Sequence, residues 1–420
     1  MPRRTPRLLI VISAAIGITL TTVFAIKLAK GYRPSFKKGS LQGTGLLAAN
    51  SFPRGATVFI NDKLTTATDD TLNLPPGEYH LKIAKDGYIS WEKTLQLEAE
   101  LVTQTNARLF PAVPDLKPLT FSGTLNPTPS PDGQKIAFAV NNATTEAKNG
   151  LYILELSSTL FLKSAPRQIV RNTGKYDFSH SQLTWSPDSS ELLATFNLAE
   201  TNEANLLLRT NTFNDLEDLK DVTAQLPVTL NQWNEFLDRN QQDLFKELPD
   251  FIQYIATASA QAVYFSPDEE KMLYTATDSA QIPEELIPSL PASSTQPETR
   301  QLEPGGIYIY DLKEDKNFQL GQTEVKPVSS LTALEQLTTR YYPLSLQNTQ
   351  WYPDSSHVII VNDDKITIAE YDNTNHQTVY AGPFSTNFAF PWPNGSRLLI
   401  LASLNGGTNQ PPNLYSINLK

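Results

Sequence analysis

Apolar and polar positions alternate in short segments through the first quarter of the chain. In "EYHLKIAKDGY", Tyr79, Leu81 and Ile83 fall on one side of an extended chain, and the residues between them are polar. This period of two is typical of a half-buried β-strand. "ATVFIND" and "KTLQLEAE" repeat the pattern, with Pro- and Gly-rich turns between the runs. The pattern predicts a small all-β sandwich over residues 44–110.

Further along, a different pattern returns five times, in which a tight turn precedes an apolar run that does not alternate. Pro and Asp favour the turn of a hairpin, and continuous apolarity indicates a strand buried on both faces. The copies start at unequal spacing, and the shortest spacing matches a four-stranded propeller blade of about 40–45 residues. The turns are Ser130-Pro131-Asp132, Ser186-Pro187-Asp188, Ser266-Pro267-Asp268, Tyr352-Pro353-Asp354 and Trp392-Pro393-Asn394.

The longer spacings predict insertions between or within blades. Residues 222–259 carry apolar side chains at helical spacing, 280–304 are rich in Pro and Ser and loop-like, and 322–345 contain a second, shorter helical patch. The helix expected in 222–259 has an apolar stripe that could cap the propeller or bind a partner, and the pattern leaves both roles open. That stripe is Leu230, Trp233, Leu237, Leu244 and Leu248.

The last copy ends after its third strand, "NLYSINL", and so lacks a fourth. The segment "DLKPLTF", Asp115 to Phe121, resembles the fourth strands of the other copies. Pairing it with the last copy would remove two open sheet edges. The sequence therefore predicts a five-bladed β-propeller over residues 115–420.

Residues 44–110 resemble a PEGA domain, a small surface β-module of bacteria and archaea. The resemblance rests on Pro53-Arg54-Gly55-Ala56, on "LPPGEY" at 74–79, and on Gly87-Tyr88 and Trp91. Arg54 replaces the Glu of the naming motif, and the usual Asp-Gly and Thr-Pro near 61–69 are missing. Because that family has no established active site, these departures concern a turn and not a function.

The repeats resemble those of TolB-like propellers, whose signature is a Ser-Pro-Asp-Gly turn followed by a strand such as "GIYIYDL" at 306–312. The order of an apolar N-terminal segment, a PEGA-like module and this propeller looks like a family of bacterial membrane-anchored proteins of unknown function. The resemblance implies a mainly β protein with an N-terminal transmembrane helix.

Charge is placed unevenly along the chain. Residues 1–38 hold eight of the 34 basic side chains and none of the 44 acidic ones, and Leu8 to Ile26 are uncharged. A helix of that length spans a bilayer core of about 30 Å. A cleaved signal peptide is the alternative, but the apolar run exceeds the usual apolar core of a signal peptide. The small-residue cleavage pattern is also poor, with Lys27 and Lys30 crowding Ala29. We expect residues 1–38 to be an uncleaved anchor and basic flank, with the N-terminus cytoplasmic and the body extracytoplasmic.

The sequence predicts no catalytic residue, no metal ligand and no cofactor. There is no cysteine, and none of the four histidines, His80, His180, His357 and His376, lies in a recognisable catalytic or metal motif. The acidic segments 362–364 and 371–377 could suggest calcium, but hairpin turns are the preferred interpretation. The aromatic residues that precede the turns could form a sugar-binding platform, but blade core is preferred. Those aromatics are Trp185, Phe265, Trp351 and Trp392.

Three hypotheses of function follow. The leading one is a non-enzymatic, membrane-anchored surface protein whose propeller binds a protein or an envelope polymer. An acidic body argues against nucleic acid as the partner. The alternatives are an extracytoplasmic propeller enzyme acting on carbohydrate as a hydrolase or lyase, and a structural spacer of the cell envelope.

Blade topology also predicts which face binds the partner. All three insertions leave from one face, and residue 115 enters from the other. The insertions should therefore point away from the PEGA-like module and from the membrane, and deleting Ile282–Glu303 should abolish binding.

Overall fold

The computed structural model describes residues 5–29, 32–35, 40–156, 165–199, 202–215, 217, 219–288, 290, 294–325, 330–342, 347–404 and 411–420. The chain forms two compact units. The first contains Met1–Leu109 and Leu290–Gln296, and the second contains Phe110–Ser289 and Pro297–Lys420.

The first unit begins with helix α1, Thr5–Ala29. Within α1, Ile10–Ala29 are long and apolar enough to cross a membrane or to act as a signal sequence. This agrees with the apolar segment predicted at 8–26. Several of the predicted flanking charges, Arg3, Arg4, Lys30, Lys37 and Lys38, lie outside the described residues.

Two β-sheets of the first unit share one core. One sheet has the strand order β6-β5-β8-β9 and the other β10-β3-β7, with short pairs β1–β2 and β4–β11 beside them. Leu81 and Ile83 are fully buried together with Leu47 and Trp91, as the alternation predicts. The strands are β1 Arg33–Ser35, β2 Ser40–Gln42, β3 Gly45–Ala49, β4 Ser51–Phe52, β5 Thr57–Ile60, β6 Lys63–Ala67, β7 Asp70–Leu74, β8 Gly77–Ala84, β9 Trp91–Leu97, β10 Val102–Gln104 and β11 Ala107–Arg108.

The described residues of the second unit contain five four-stranded antiparallel sheets. Sheet 1 consists of β13 Leu125–Pro129, β14 Lys135–Val140, β15 Gly150–Glu155 and β16 Arg167–Arg171. Sheet 2 consists of β17 Gln182–Trp185, β18 Glu191–Ala199, β19 Asn202–Arg209 and β20 Lys220–Asp221. Sheet 3 consists of β21 Ala260–Phe265, β22 Lys271–Ala276, β25 Gly306–Asp311 and β26 Lys316–Gln322, with a small extra pair of β23 Ala280–Gln281 and β24 Gln301–Leu302. Sheet 4 consists of β27 Thr349–Trp351, β28 His357–Val361, β29 Lys365–Glu370 and β30 Gln377–Ala381. Sheet 5 consists of β31 Ala389–Pro391, β32 Arg397–Ala402, β33 Asn413–Asn418 and β12 Leu116–Pro118.

Strand β12 closes sheet 5, as predicted. It pairs antiparallel with β33, with Leu116 opposite Ile417 and Pro118 opposite Tyr415. The predicted closure by the segment at 115–121 is therefore confirmed. It joins the start of the second unit to its end and removes the open edge of β33.

Each sheet is apolar on both faces, and alternate residues of one strand enter different cores. In β14, Ala137 and Ala139 pack with sheet 2, whereas Ile136 and Phe138 pack with sheet 5. Shared cores in the same way join sheet 3 to sheet 4 and sheet 4 to sheet 5. Continuous apolar runs are thus explained by burial between two neighbours.

The repeated turns also bond one sheet to the next. The Asp132 N–H donates to Ser189 Oγ (3.1 Å), which joins the turns of sheets 1 and 2. The Asp268 N–H donates to Ser355 Oγ (3.0 Å), which joins sheets 3 and 4 at the equivalent position. Sheets 4 and 5 are joined by the Tyr352 hydroxyl, which donates to the carbonyl of Gly395.

The tryptophan before a turn adds a second hydrogen bond between sheets 1 and 2 and between sheets 3 and 4. Trp185 Nε1 donates to the Thr128 carbonyl (2.9 Å), and Trp351 Nε1 donates to the Tyr264 carbonyl (3.1 Å). Both acceptors lie two residues before the Ser of the preceding repeat. One residue type at one repeat position thus sets the spacing of two neighbouring sheets.

Helices occupy the connections where insertions are predicted. Residues 222–259 form α2, Leu226–Lys246, then α3, Asp250–Tyr254, and a π-helical turn, Ile255–Ser259. Residues 322–345 contain α4, Ala333–Thr339. Short 3₁₀ turns lie at Glu146–Lys148, Phe178–His180 and Thr223–Gln225.

The expectation for insertion 280–304 is wrong in one respect. Its base pairs as β23–β24, and the returning segment runs beside β26, where the Thr299 N–H donates to the Asn317 carbonyl (2.7 Å). The nearly buried pair of Arg300 Nη1 and Asp315 Oδ1 (3.3 Å) anchors it there. Leu290–Gln296 belong to the first unit, where Gln296 Nε2 donates to the Thr94 carbonyl (2.8 Å).

The cross-sheet tryptophan bonds predict a stability loss on removal of the donor. Trp185→Phe and Trp351→Phe should each lower the free energy of unfolding by about 1 kcal/mol, because a half-buried carbonyl loses its hydrogen-bond partner. Urea unfolding of each variant measures this. The matched change Phe265→Tyr, at the equivalent position of sheet 3, should cost less. Losses below about 0.3 kcal/mol for both Trp variants would contradict the role assigned to the indole N–H.

The turn carboxylates predict a pH dependence. Burial alone would raise the pKa of Asp188 and of Asp268, but several hydrogen bonds to each carboxylate together outweigh it and hold each pKa below its usual value. Asp188 accepts from Ser186 and Ser190, and Asp268 accepts from Ser266 and the Glu270 N–H. Their stabilisation is therefore full above the unfolded pKa of about 3.9 and is lost as the pH falls through the folded pKa. The double variant D188N/D268N should be less stable than the native chain at pH 7, and the difference should shrink as the pH falls through the folded pKa of the two carboxylates. A difference in the free energy of unfolding that stays constant as the pH falls would refute the role assigned to these carboxylates.

Candidate functional site

The third repeat lacks the two side chains by which the second and fourth repeats bond to their preceding sheets. Phe265 stands where Trp185 and Trp351 stand, and a phenyl ring has no N–H to donate. Glu269 stands where Ser189 supplies a hydroxyl. Sheets 2 and 3 therefore cannot form the two bonds that join sheet 1 to sheet 2 and sheet 3 to sheet 4.

Helices fill the junction between sheets 2 and 3. Leu230 and Trp233, in the first half of α2, pack with Leu193 and Leu207 of sheet 2. The end of α2 and the helical turns after it pack instead on the facing side of sheet 3. That second cluster includes Phe245, Leu248, Ile252, Ile255, Met272, Tyr274 and Tyr308. We name α2, α3 and α4 together the helical wedge. Because the wedge takes the place of a direct contact between these sheets, the count of five blades stays a prediction.

Helix α4 ties the wedge to several sheets. It begins at a capping box in which Thr332 and Glu335 exchange backbone and side-chain hydrogen bonds. Its buried residue Leu337 joins the core of sheet 2, and the carbonyl of Thr339 accepts from the hydroxyl of Tyr264 in sheet 3. Just beyond α4, the Tyr342 hydroxyl donates to the Ala389 carbonyl of sheet 5 (2.9 Å).

A cavity of about 560 Å³ lies between α2, α4 and strand β21. Its volume is in the range typical of ligand clefts. Helix α2 supplies Asn234, Leu237, Asn240, Gln241 and Leu244 to the lining, β21 supplies all of Ala260–Phe265, and Ala256, Ala333, Gln336, Thr339 and Arg340 complete it.

The polar part of this lining consists of amides and one guanidinium. Arg340 connects α4 to α2: its Nη1 lies 2.9 Å from Asp238 Oδ1, and its Nη2 donates to Gln241 Oε1 (3.0 Å). The Asp238 carboxylate neutralises the cation, and the guanidinium fixes the orientation of the Gln241 amide. The cavity thus presents positioned donors and acceptors with little net charge.

Strand β21 is irregular where it borders the cavity. Its pairing with β22 shifts register between Gln261 and Tyr264, and Ala262 has φ +53°. In β13 the equivalent residue is Asn126, with φ +50°, whose Nδ2 donates to the Ser179 carbonyl (3.1 Å) of the neighbouring repeat. Asn tolerates the left-handed region, whereas for Ala it costs about 1–2 kcal/mol. Sheet 3 keeps this strained backbone without the compensating bond.

Buried polar atoms also lie beside the wedge, in sheet 2 and just after α4. Thr184 Oγ1, Asn205 Nδ2 and Tyr341 Oη are buried without a hydrogen-bond partner among the described residues. Thr184 lies opposite Leu193 in the β17–β18 ladder, so both side chains are on the wedge side. Burial raises the pKa of Tyr341.

The histidines considered in the sequence lie apart from the cavity, each in its own local setting. His180 Nδ1 lies 3.1 Å from Asp177 Oδ2, and His357 Nδ1 lies 3.0 Å from Asp354 Oδ2. His376 bonds within its own turn, and His80 is half-buried in β8.

The two acidic segments form turns, which agrees with the interpretation preferred from the sequence. Residues 362–364 connect β28 to β29, and residues 371–376 connect β29 to β30. In the second turn the Thr374 hydroxyl donates to Asp372 Oδ1 (2.6 Å). Across the residues the structure describes, no group of three or more His, Cys, Asp or Glu side chains is placed to hold a metal ion.

The aromatics before the turns divide into two groups. Trp185, Trp351 and Trp392 are buried, so the blade-core interpretation is confirmed for them. Phe265 is only half-buried and lines the cavity, although it also packs against the core of sheet 3.

The predicted apolar stripe of α2 is likewise divided between core and cavity. Leu230, Trp233 and Leu248 are buried, whereas Leu237 and Leu244 line the cavity. The sequence reasoning missed the site itself. The sequence does contain one indication of the site: the third repeat has Phe265 and Glu269 where the second and fourth repeats have Trp and Ser.

Comparison with known proteins confirms the resemblance of the first unit. Residues 44–112 match the family model for the PEGA domain. Among curated proteins, none matches the sequence of the chain.

Solved structures similar to the chain include TolB proteins, as the resemblance of the repeats implies. The putative TolB of Agrobacterium tumefaciens is 13% identical over 70% of this chain and 79% of that chain, with a TM-score of 0.21. TolB of Acinetobacter baumannii is 14% identical over 81% of this chain and 60% of that chain, with a TM-score of 0.19. An oligogalacturonate lyase in complex with manganese is 11% identical over 82% and 86%, with a TM-score of 0.26. The architecture given above rests on the strand pairing of this chain and not on these similarities.

The strained residue in β21 predicts opposite effects for two matched substitutions. Ala262→Asn should raise the free energy of unfolding by about 1 kcal/mol, because Asn adopts the left-handed region at lower cost. Asn126→Ala should lower it by about 1–3 kcal/mol, because it introduces the same strain and removes two hydrogen bonds. Chemical denaturation measures both. A loss of stability in Ala262→Asn would contradict the assigned backbone strain.

Proposed function

We propose that the protein is a membrane-anchored, extracytoplasmic binding protein without enzymatic activity, and that a protein or envelope polymer binds at the helical wedge of its second unit. A PEGA domain after an apolar N-terminal helix fits an extracytoplasmic surface protein. To this location we add three proposed features: the helix is a retained membrane anchor, the N-terminus is cytoplasmic, and the second unit binds a partner.

The cavity carries this proposal. It lies between sheets 2 and 3, where the third repeat has neither the Trp nor the Ser of the second and fourth repeats. The helices that line it come from insertions outside the four-stranded sheets. Its lining combines apolar surface with convergent amides and one guanidinium, a composition that suits recognition of amide or hydroxyl groups. No particular observation favours the carbohydrate enzyme or the structural spacer over binding.

The location of the partner site differs from the one the sequence predicts. Part of insertion 280–304 belongs to the first unit, and Arg300 anchors its return to sheet 3. Deleting Ile282–Glu303 would therefore disturb the fold as well as any binding. The wedge formed by insertions 222–259 and 322–345 carries the proposal instead.

Site-specific photo-crosslinking tests the proposed binding site in the intact cell. A photoreactive amino acid at Asn240, which is exposed and lines the cavity, should give a discrete adduct on illumination. The same group at Gln242, exposed on α2 but outside the cavity lining, should give none. Absence of adducts at both positions favours the spacer, and equal adducts at both positions refute a site in the cavity.

Protease accessibility tests the proposed orientation. With the N-terminus cytoplasmic, protease added to intact spheroplasts should digest the second unit, and a cytoplasmic marker protein should survive. Full protection of the second unit would reverse the orientation.

A further inference from the structure

We infer that the cavity binds an extended polypeptide segment, which adds as a fifth strand to the open edge of β21. This rests on the proposed function and narrows its partner to a protein. Main-chain pairing with the strand would supply affinity, and the amides of α2 opposite would supply selectivity.

The first support is the accessibility of the strand edge. Strand β21 is the end member of sheet 3, and all six of its residues are half-buried. Side chains on both faces of the strand line the cavity. The register shift between Gln261 and Tyr264 interrupts the alternation in the middle of the strand. On each side of the shift, neighbouring residues still point to opposite faces, so a cavity that touches all of them lies along the strand edge and not over one face.

The second support is the direction of the backbone groups. The Ser266 N–H donates to the Lys271 carbonyl (2.8 Å), and the Ser259 carbonyl accepts from the Thr277 N–H (2.9 Å), so both residues pair toward β22. Alternate residues of an antiparallel strand direct their groups to the other edge. Phe265 and Ala260 therefore direct theirs toward the cavity.

The third support is the wall opposite. Helix α2 presents Asn234, Asn240 and Gln241 to the cavity, and each amide offers a donor and an acceptor as a peptide group does. The space between an edge strand and a helix is a recurring peptide-binding arrangement. Because of the register shift, β21 is shorter than the roughly 20 Å of a regular six-residue strand. A bound segment would pair with it at its two ends, around Ala260 and Phe265.

The charges indicate the composition of the segment. The one cation of the lining, Arg340, is already paired with Asp238, and the lining contains no carboxylate. A segment of uncharged residues fits such a site without leaving a buried charge unpaired. A glycan would use the amides but would leave the backbone groups of β21 without matched partners.

Selection from a phage-displayed library of random heptapeptides tests the inference on the full-length protein in detergent. Selected peptides should bind the native chain, and Asn240→Trp, which fills the cavity, should weaken binding at least tenfold. Gln242→Trp should change it less than twofold. Asn240→Arg provides a second blocking variant, and circular dichroism establishes that all three variants are folded.

N-methylation of the peptide backbone separates strand addition from other modes of binding. Methylation at alternate positions should weaken binding at least tenfold, and methylation at the intervening positions should have little effect, since only alternate N–H groups face β21. A flat methylation profile, equal binding to Asn240→Trp, or failure to select any peptide would overturn the inference. If crosslinking at Asn240 succeeds while peptides fail, the inference falls and the proposed function stands. The same holds if a glycan array yields ligands whose binding is sensitive to Asn240→Trp.

Discussion

The second unit is governed by one constraint: each of its sheets is apolar on both faces and therefore needs two packing neighbours. Strand β14 meets this requirement in its simplest form, since Ala137 packs toward sheet 2 and Ile136 toward sheet 5. Leaving either side in water would forfeit about 25 cal/mol for each Å² of apolar surface. At four junctions, two sheets pack directly against each other. At the fifth, sheets 2 and 3 each bury their remaining face against helices.

The helical junction differs from the others in chemistry as well as in shape. It replaces the Trp and Ser bonds with longer-range contacts, such as Arg340 to Asp238 and Tyr264 to Thr339. It also keeps Ala262 in a left-handed backbone conformation and leaves polar atoms such as Tyr341 Oη buried without a partner among the described residues. Strained backbone and unpaired polar groups concentrate where structure serves function rather than stability. The cavity between these helices and β21 is the reason for placing binding at this junction.

Much of the fold is predictable because its determinants are local. The alternation around Leu81 predicts the sandwich strand, the Pro-Asp turns predict hairpins, and the incomplete last repeat predicts closure by β12. The spacing of Leu230 and Trp233 predicts a buried helical face, but not its packing between two sheets. The return of insertion 280–304 depends on Arg300 meeting Asp315 across 15 positions, and no local pattern encodes that pair.

The site could be predicted only in part. The substitution of Phe265 for Trp is visible once the repeats are aligned, and it marks the junction that lacks a donor. The left-handed conformation of Ala262 is not visible, because Ala rarely adopts it and only the equivalence with Asn126 in β13 suggests it. The position of Arg340 beside α2 likewise depends on α4 crossing from the connection after sheet 3 back to sheet 2.

Native-state hydrogen exchange tests the central claim most directly. The claim is that the junction of sheets 2 and 3 is held by helices and side-chain contacts and is the weakest junction between the sheets of the second unit. The amides of α2 and α4 should exchange through an opening that costs less free energy than global unfolding, while the amides of β14 and β28 exchange only on global unfolding. Equal protection of the wedge and of these strands would contradict the claim.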